Sequence, residues 1–317
     1  MIKFMNMMSK EEIETLYGIM PDNLDVGKMN TLLSKQENKH LLIENVYSDI
    51  IHWLSEIENI SITENVVEYV KTINLNNNIL LIVVDDYSVY NKQILGSNIS
   101  YNIHKKFVSE GFRVVWIKKF EWENPSKQII IKSLIIHSLG KTKDKIYARN
   151  TICEVIDNKL LKDFFNKSSF YGYRIADTAV CLKDKHSGEI VSAMSFGHPY
   201  YGKNKYDVEC IRSASKPFTM VVGGLSKMMN FYLETFKTNN IVYYVDESHY
   251  QNKSIEKLGF KYSHFSPSGF HNVFLNTGSV FMRTPKLYKE IKFLRAKNII
   301  VQIPDVGTSV FVYNRLG

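Results

Sequence analysis

The stretch Val221-Val222-Gly223-Gly224-Leu225-Ser226-Lys227 decides the fold. An apolar series at helical spacing follows it, Leu225, Met228, Met229, Tyr232, Leu233 and Phe236, so the two glycines stand at a helix entrance. Adjacent glycines let a ligand approach the backbone closely, because no Cβ intervenes. A helix start also presents N–H groups without intrahelical partners and the positive end of the helix dipole, which together favour an anion. On this reading Val222, Gly223, Gly224, Ser226 and Lys227 form a phosphate cradle, with a hydroxyl from Ser226 and a charge from Lys227. The competing reading is plainer. Two bare residues simply let the helix pack tightly at its entry.

Outward from that turn the pattern alternates strands and helices. Downstream, Ile241–Val245 reads as a strand, and Ser254–Leu258 as a helix stopped by Gly259. Upstream lie strands at Val208–Ser213, Glu189–Phe196 and Thr178–Lys183, the last two joined by a His186-Ser187-Gly188 turn. The segment Gly140–Arg149, rich in Lys and Arg, reads as a linker. Before it, Pro125–Leu139 is a helix with proline in its first turn, and Arg113–Lys118 a strand. Ile79–Val84 is a continuous apolar run, as a strand covered on both faces requires, and Asn76-Asn77-Asn78 turns into it from a strand at Val66–Leu75. Leu41–Glu58 places Leu42, Val46, Ile50, Ile51 and Leu54 on one helical face. These patterns predict an α/β protein of two domains, 1–145 and 146–317, a length that lets each bury its own core.

Lys and Arg number 40 against 32 Asp and Glu, a net charge of +8, which suits a polyanionic partner such as double-stranded DNA. Cys153, Cys181 and Cys210 have no paired short spacing, which argues against a disulfide framework or a zinc knuckle and for small buried hydrophobes in a reducing compartment. The sequence has no apolar run of about 18 residues and no signal-like start, so no membrane partner and a cytoplasmic location are expected. Tyr200, Tyr201 and Tyr206 among Lys203 and Lys205 make a candidate DNA-contacting loop, because aromatic faces stack and lysines meet phosphates. Arg149, Arg174 and Arg212 are further candidates for phosphate contact, against the alternative of a solvated face. Asp246, Glu247, Ser248 and His249 follow a strand and form either a polar catalytic cluster or the N-terminal cap of a helix.

The second half resembles the acyl-CoA N-acyltransferase superfold. The resemblance rests on the Gly-Gly turn, which sits where that fold holds the CoA pyrophosphate, and on Ser254-Ile255-Glu256-Lys257-Leu258-Gly259-Phe260. The Arg/Gln-x-x-Gly-x-Gly/Ala signature is not intact here. A wider set of pieces is similar to phage homing endonuclease-like proteins, which join a nuclease module similar to very-short-patch-repair endonucleases to such a domain. They are Phe120-Glu121-Trp122-Glu123, Ile131-Lys132-Ser133, Leu139-Gly140-Lys141, Ile146-Tyr147-Ala148-Arg149, Glu189 through Gly197, Glu209-Cys210-Ile211-Arg212, the Gly-Gly turn and Pro304-Asp305-Val306-Gly307. The C-terminal shape is also similar to the phage Mom proteins, which modify DNA adenines.

The resemblance implies a small restriction-endonuclease-like module followed by a GNAT-like mixed α/β domain. It implies Mg²⁺ and acyl-CoA as cofactors. Glu44, Glu68, Asp85 and His104 would be catalytic, with Glu68 and Asp85 holding the metal. Tyr201, Lys203, Lys205, Arg212 and Arg149 would meet DNA. The nuclease motif departs from its pattern, since Tyr101-Asn102-Ile103-His104-Lys105-Lys106 has Asn102 where the relatives have His. Three activities follow as expectations: a Mg-dependent homing-type DNA endonuclease, a base-modifying acyltransferase with an inactive nuclease module, or a non-catalytic DNA-binding or virion-associated protein.

Overall fold

The computed structural model describes residues 10–21, 23–34, 45–67, 70–85, 99–202, 205–250, 253–267, 269–282 and 287–315. The chain divides into two compact units, Met1–Glu123 with Pro267–Gly307, and Asn124–Ser266 with Thr308–Gly317. The first begins with helices α1 (Lys10–Gly18), α2 (Val26–Leu33) and α3 (Val46–Ser55). Strands β1 (Ile62–Val67), β2 (Val70–Leu75) and β3 (Ile79–Val84), helix α4 (Ile99–Ser109), strand β4 (Arg113–Lys118) and the short α5 (Lys119–Trp122) follow. The second unit runs through α6 (Pro125–Ser138), β5 (Asp144–Tyr147), β6 (Thr151–Val155), α7 (Asn158–Ser168), β7 (Thr178–Asp184) and β8 (Ile190–Gly197). It continues with β9 (Val208–Ser215), β10 (Thr219–Val222), α8 (Gly224–Phe236), β11 (Asn240–Asp246), α9 (Lys253–Glu256) and β12 (Lys261–Ser266). The chain then returns to the first unit for β13 (Phe270–Phe274), β14 (Val280–Met282), α10 (Tyr288–Ala296) and β15 (Ile300–Pro304), and β16 (Thr308–Asn314) completes the second.

In the first unit β1-β2-β3-β4 form a four-stranded sheet, antiparallel except for the β3/β4 pair. Every residue of β3 is buried, as its unbroken apolar run requires. Three residues, Asn76 to Asn78, join β2 to β3, and Asn76 and Asn77 both take positive φ, which asparagine tolerates better than most residues. Leu80, Ile82 and Val84 pack with Val273, Val301 and Ile303 from β13 and β15, so the returning segment covers this sheet. A second cluster joins Leu16, Met29 and Leu32 to Ile291 and Leu294.

The second unit is a mixed α/β domain on a seven-stranded sheet, order β12-β16-β11-β9-β8-β7-β6. Only β9/β11 is parallel, a pairing that needs a crossover connection, here through α8. Met228, Met229 and Tyr232 of α8 pack on Val180, Met194, Phe196 and Cys210. Leu161 and Phe165 of α7 pack on Ala179, Cys181, Ala193 and Ile211, burial worth about 1.5–3 kcal/mol for each large side chain. The sheet alternation places these two clusters on opposite faces.

Several expectations change. The expected single division at 145 gives way to one at Asn124, with 267–307 returning to the first unit. Gly140–Arg149 is not a plain linker, because Asp144–Tyr147 pairs in parallel with β10. The strand expected over Val66–Leu75 is two strands paired as a hairpin, Ile62–Val67 with Val70–Leu75. The helix expected over Leu41–Glu58 spans Val46–Ser55, and residues 41–44 lie outside the described set.

Candidate functional site

Strands β9 and β11 pair at only three positions, Val208 with Ile241, Glu209 with Val242 and Cys210 with Tyr243. Beyond that point β9 stays paired with β8 as far as Ser215, and β11 with β16 as far as Asp246, but not with each other. The two parallel strands therefore part toward their carboxyl ends, where ligands of open α/β sheets enter. A hydrogen bond of 2.5 Å between the Ser213 and Tyr243 hydroxyls links the strands near the divergence. Burial, and then Cys210, push the Tyr243 pKa upward, which keeps that hydroxyl protonated.

A β-bulge sets what faces the opening. Ser195 pairs with Arg212 and Phe196 with Cys210, leaving Ile211 as the extra residue on β9. A bulge of this kind turns two successive side chains toward one face. Ile211 accordingly joins the α7 cluster, and Arg212 lies with its guanidinium 5.5 Å from the Tyr171 ring centroid. Arg212 donates from Nε to the Gly172 carbonyl at 3.3 Å and from Nη1 to its neighbour Ile211 at 2.7 Å. Burial, then the charge of Arg174, lower its pKa from the ordinary value.

Tyr171 donates its hydroxyl to Asp246 Oδ2 at 2.7 Å, and His249 Nδ1 lies 2.5 Å from the same oxygen. The other Asp246 oxygen accepts the Ser248 N–H at 2.9 Å, so this carboxylate also shapes the turn after β11. The His249 ring lies tilted over Phe170, centroids 4.0 Å apart. Of the four residues read as catalytic cluster or cap, Asp246 and His249 thus join Arg212 at the opening. Tyr171 was not visible in the sequence, since it follows α7 in an irregular stretch, 75 residues from Asp246.

Nearby on the same strand, Glu209 binds Arg174 at 3.0 Å through one oxygen and accepts the Tyr200 N–H at 2.8 Å through the other. Tyr201 and Lys205 are exposed, as a contact loop requires, but Tyr206 is buried with Val242 and Val310 and is a core residue. Lys203 lies outside the described residues. Arg149 is exposed, its guanidinium 5.1 Å from the Tyr147 ring centroid.

The Gly-Gly turn is a helix start, as its sequence predicts. Gly223 is the N-cap at φ 76°, and no side chain caps the end. The first-turn N–H groups at Gly224, Leu225 and Ser226 therefore fit an anion by geometry. Val222, Gly223 and Ser226 are exposed. Lys227 does not fit its expected part: Nζ donates to the Ala148 and Thr151 carbonyls at 2.9 and 2.6 Å, tying the first turn of α8 to the start of β6. At Gly224 a Cβ would stand 2.7 Å from Val221 Cγ1 of β10 and 3.1 Å from Leu182 Cδ1 of β7, so packing favours glycine there without any ligand. A CoA pyrophosphate would be held by backbone N–H groups, without the lysine.

Of the expected nuclease residues, the structure describes Asp85 and His104. Glu44 and Glu68 lie outside the described residues. His104 is buried, and Trp116 Nε1 donates to its Nδ1 at 3.4 Å, a core contact rather than an open catalytic position. Asp85 pairs with Lys71 at 2.8 Å, and Lys71 Nζ stands 5.0 Å from the Tyr47 ring centroid. Tyr47 has its pKa raised by burial first and then by a hydrogen bond to Glu64. Tyr47, Glu64 and Lys71 are therefore the neighbours of Asp85 that sequence reading missed. Among the described residues, no group of three or more His, Cys, Asp or Glu is placed to hold a metal ion. Cys181 and Cys210 are buried, and all three cysteines are free thiols. No described helix is long and apolar enough to cross a membrane.

No protein-family model matches the chain, and no curated protein matches it. Among solved structures, one similar chain is assigned as a streptothricin acetyltransferase from Bacillus anthracis strain Ames, in complex with acetyl coenzyme A. Identity is 11% and the TM-score 0.26, and the match covers 45% of this chain and 65% of that one, under two thirds of its length. A likeness so distant carries no argument about activity.

Proposed function

We propose that the second unit is a group-transfer domain of the acyl-CoA type, working at the opening between β9 and β11 on an acceptor carried by nucleic acid. The observation that carries this reading is the early parting of the parallel pair β9/β11, with Arg212, Tyr171, Asp246 and His249 gathered beside it. The net charge of +8 supports the polyanionic acceptor. Backbone N–H groups at Gly224, Leu225 and Ser226 would hold the cofactor phosphates. When bound, the cofactor supplies an acyl group activated as a thioester.

The chain's own residues then handle the proton. Tyr171 is 41% exposed, so its Oη can accept a hydrogen bond from an acceptor while its own O–H donates to Asp246 Oδ2. Asp246 fixes the orientation of the buried His249 ring through Nδ1. Arg212 supplies a fixed positive charge at the Tyr171 ring. Tyr171→Phe and Asp246→Asn should each lower kcat by about 10²–10⁴-fold, the usual share of general acid–base catalysis, with little change in acetyl-CoA affinity. Mass spectrometry of DNA incubated with acetyl-CoA measures the transfer, and calorimetry measures the affinity. A folded protein that binds no acetyl-CoA, or variants as active as the parent, would refute the reading.

A second reading, metal-assisted DNA cleavage by the first unit, would rest on two described carboxylates, Asp85 beside Lys71 and Glu64 on the Tyr47 hydroxyl. Mg²⁺ needs carboxylate oxygens, and Glu64 and Asp85 would be the described ones to supply them. Plasmid nicking with Mg²⁺ tests it, with Asp85→Ala expected to abolish cleavage. Nicking unchanged by that substitution would remove Asp85 from the reaction.

A further inference from the structure

Away from the opening, Tyr200 and Tyr201 are 64% and 67% exposed, and their rings meet edge to face with centroids 4.7 Å apart. Large aromatic rings exposed together usually mark a contact surface. This pair is also held in place. Glu209, itself buried, binds the Tyr200 backbone N–H with one oxygen and Arg174 with the other, and Arg174 lies 5.7 Å from the Tyr200 ring centroid. Tyr201 leans in turn on Tyr244 of β11, centroids 6.4 Å apart. Lys205 follows, exposed, with its carbonyl accepting from Asn240 Nδ2 at 2.8 Å. A strand-borne carboxylate thus presents two aromatic faces in fixed geometry beside an exposed lysine.

We infer that Tyr200 and Tyr201 are a stacking platform for unpaired bases of a single-stranded nucleic acid, with Lys205 meeting the phosphate. The proposal rests on the nucleic-acid acceptor proposed above and narrows it from a duplex to an unpaired strand. Every base offers a π-face, so such a platform tolerates sequence, and the basic chain supplies the matching charge. Arg174 is neutralised by Glu209, so its part is to hold the Tyr200 ring while Lys205 carries the phosphate contact. Duplex DNA keeps its bases stacked and offers the platform no exposed face.

The test uses the full chain and fluorescence anisotropy with labelled oligo-dT, oligo-U and a DNA duplex, at two salt concentrations. No acyl donor is needed, so a failure of transfer leaves this measurement intact. Each of Tyr200→Ala and Tyr201→Ala should weaken single-strand binding by about 5- to 150-fold, from roughly 1–3 kcal/mol per stacked base at about 1.4 kcal/mol per tenfold. Tyr201→Trp should restore binding and Tyr201→Leu should not. Lys205→Ala should weaken binding and flatten its salt dependence. Tighter binding of oligo-dT or of oligo-U identifies DNA or RNA as the source of the strand. Circular dichroism confirms that these surface variants fold. The proposal is overturned by a folded double alanine variant that binds single strands as the parent does, or by a parent that prefers the duplex. It is equally overturned if the substitutions change only the oligomeric state, which would make the tyrosines a contact between copies of the chain.

Discussion

Replacing Lys118 by Met tests a charge network that the fold of the first unit depends on. Lys118 ends β4 with 1% exposure, and its Nζ lies 3.1 Å from Asp305 Oδ1 and 3.3 Å from Glu121 Oε1. Glu121 is as deeply buried as the lysine, and Asp305 also reaches His271 Nε2 at 3.3 Å. Methionine keeps most of the apolar stem, so lost packing should cost under about 1.5 kcal/mol. Removing the charge takes the ion pair from a fully buried carboxylate that keeps only neutral donors such as the N–H of residue 118, and breaking a buried pair from one side costs about 3–5 kcal/mol. For a unit of this size that corresponds to a fall in Tm of about 6–20 °C. The assay is specific, because Trp53, Trp116 and Trp122 are the only tryptophans and all lie in the first unit. Their fluorescence during urea or thermal unfolding follows that unit alone. Asp305→Asn with Lys118→Met should lose less than the two separate losses together, since the pair interacts. A Lys118→Met protein within about 0.5 kcal/mol of the parent, the range of ordinary surface changes, would refute the reasoning.

Lys227→Ala should lower the stability of the second unit by about 1.5–3 kcal/mol, because a charged donor leaves two backbone carbonyls, while acetyl-CoA affinity measured by calorimetry stays constant. Gly224→Ala should cost about 1–3 kcal/mol in thermal unfolding followed by circular dichroism, despite alanine's better helix propensity, because its Cβ collides with Val221 and Leu182. Burial pushes the Cys153 and Cys181 thiols up to about 11 and about 12, so both should resist iodoacetamide at pH 8 and react once urea unfolds the chain. A thiol whose folded pKa is raised holds its proton more tightly when folded. Its contribution to stability is therefore complete below the unfolded thiol pKa of about 8.5 and falls as pH climbs toward 11–12, which urea titrations at pH 8 and pH 10 can read.

The parts of this fold that were legible in the sequence are those fixed by local chemistry. The apolar run of β3, the asparagine hairpin and the glycine helix start each carry their own cause within a few residues. What was not legible depends on distant partners. Gly140–Arg149 looks like a solvated linker because of its lysines, and its strand exists because Thr219–Val222 lies alongside. The return of 267–307 to the first unit follows from pairing of Phe270–Phe274 with Ile300–Pro304 and from packing on β3, neither of which leaves a local mark. The same holds for charges. Nothing local to Lys118 or Glu121 announces their burial, which depends on Asp305, 187 positions from the lysine. At the candidate site Arg212 and the Asp246–His249 run could be picked out by type, but only the bulge at Ile211 decides which face Arg212 takes.

Both main sheets contain a single parallel pair, β3/β4 and β9/β11, and in both the polar residues collect at the carboxyl ends of that pair. In the first unit Val84 pairs with Lys118, so Asp85 and Lys118 leave the sheet at nearly the same level. There the returning segment brings Asp305 and His271 over Lys118, and the lysine is sealed in a buried ion network. In the second unit the strands separate after three pairs, Arg212 keeps part of its surface, and Tyr171 is exposed beside Asp246. A closed end can hold charge but cannot exchange it with a substrate, whereas an open one can do both. That difference is the physical ground for proposing group transfer in the second unit, and it leaves any hydrolytic role proposed for the first to the separate Asp85–Lys71 pair.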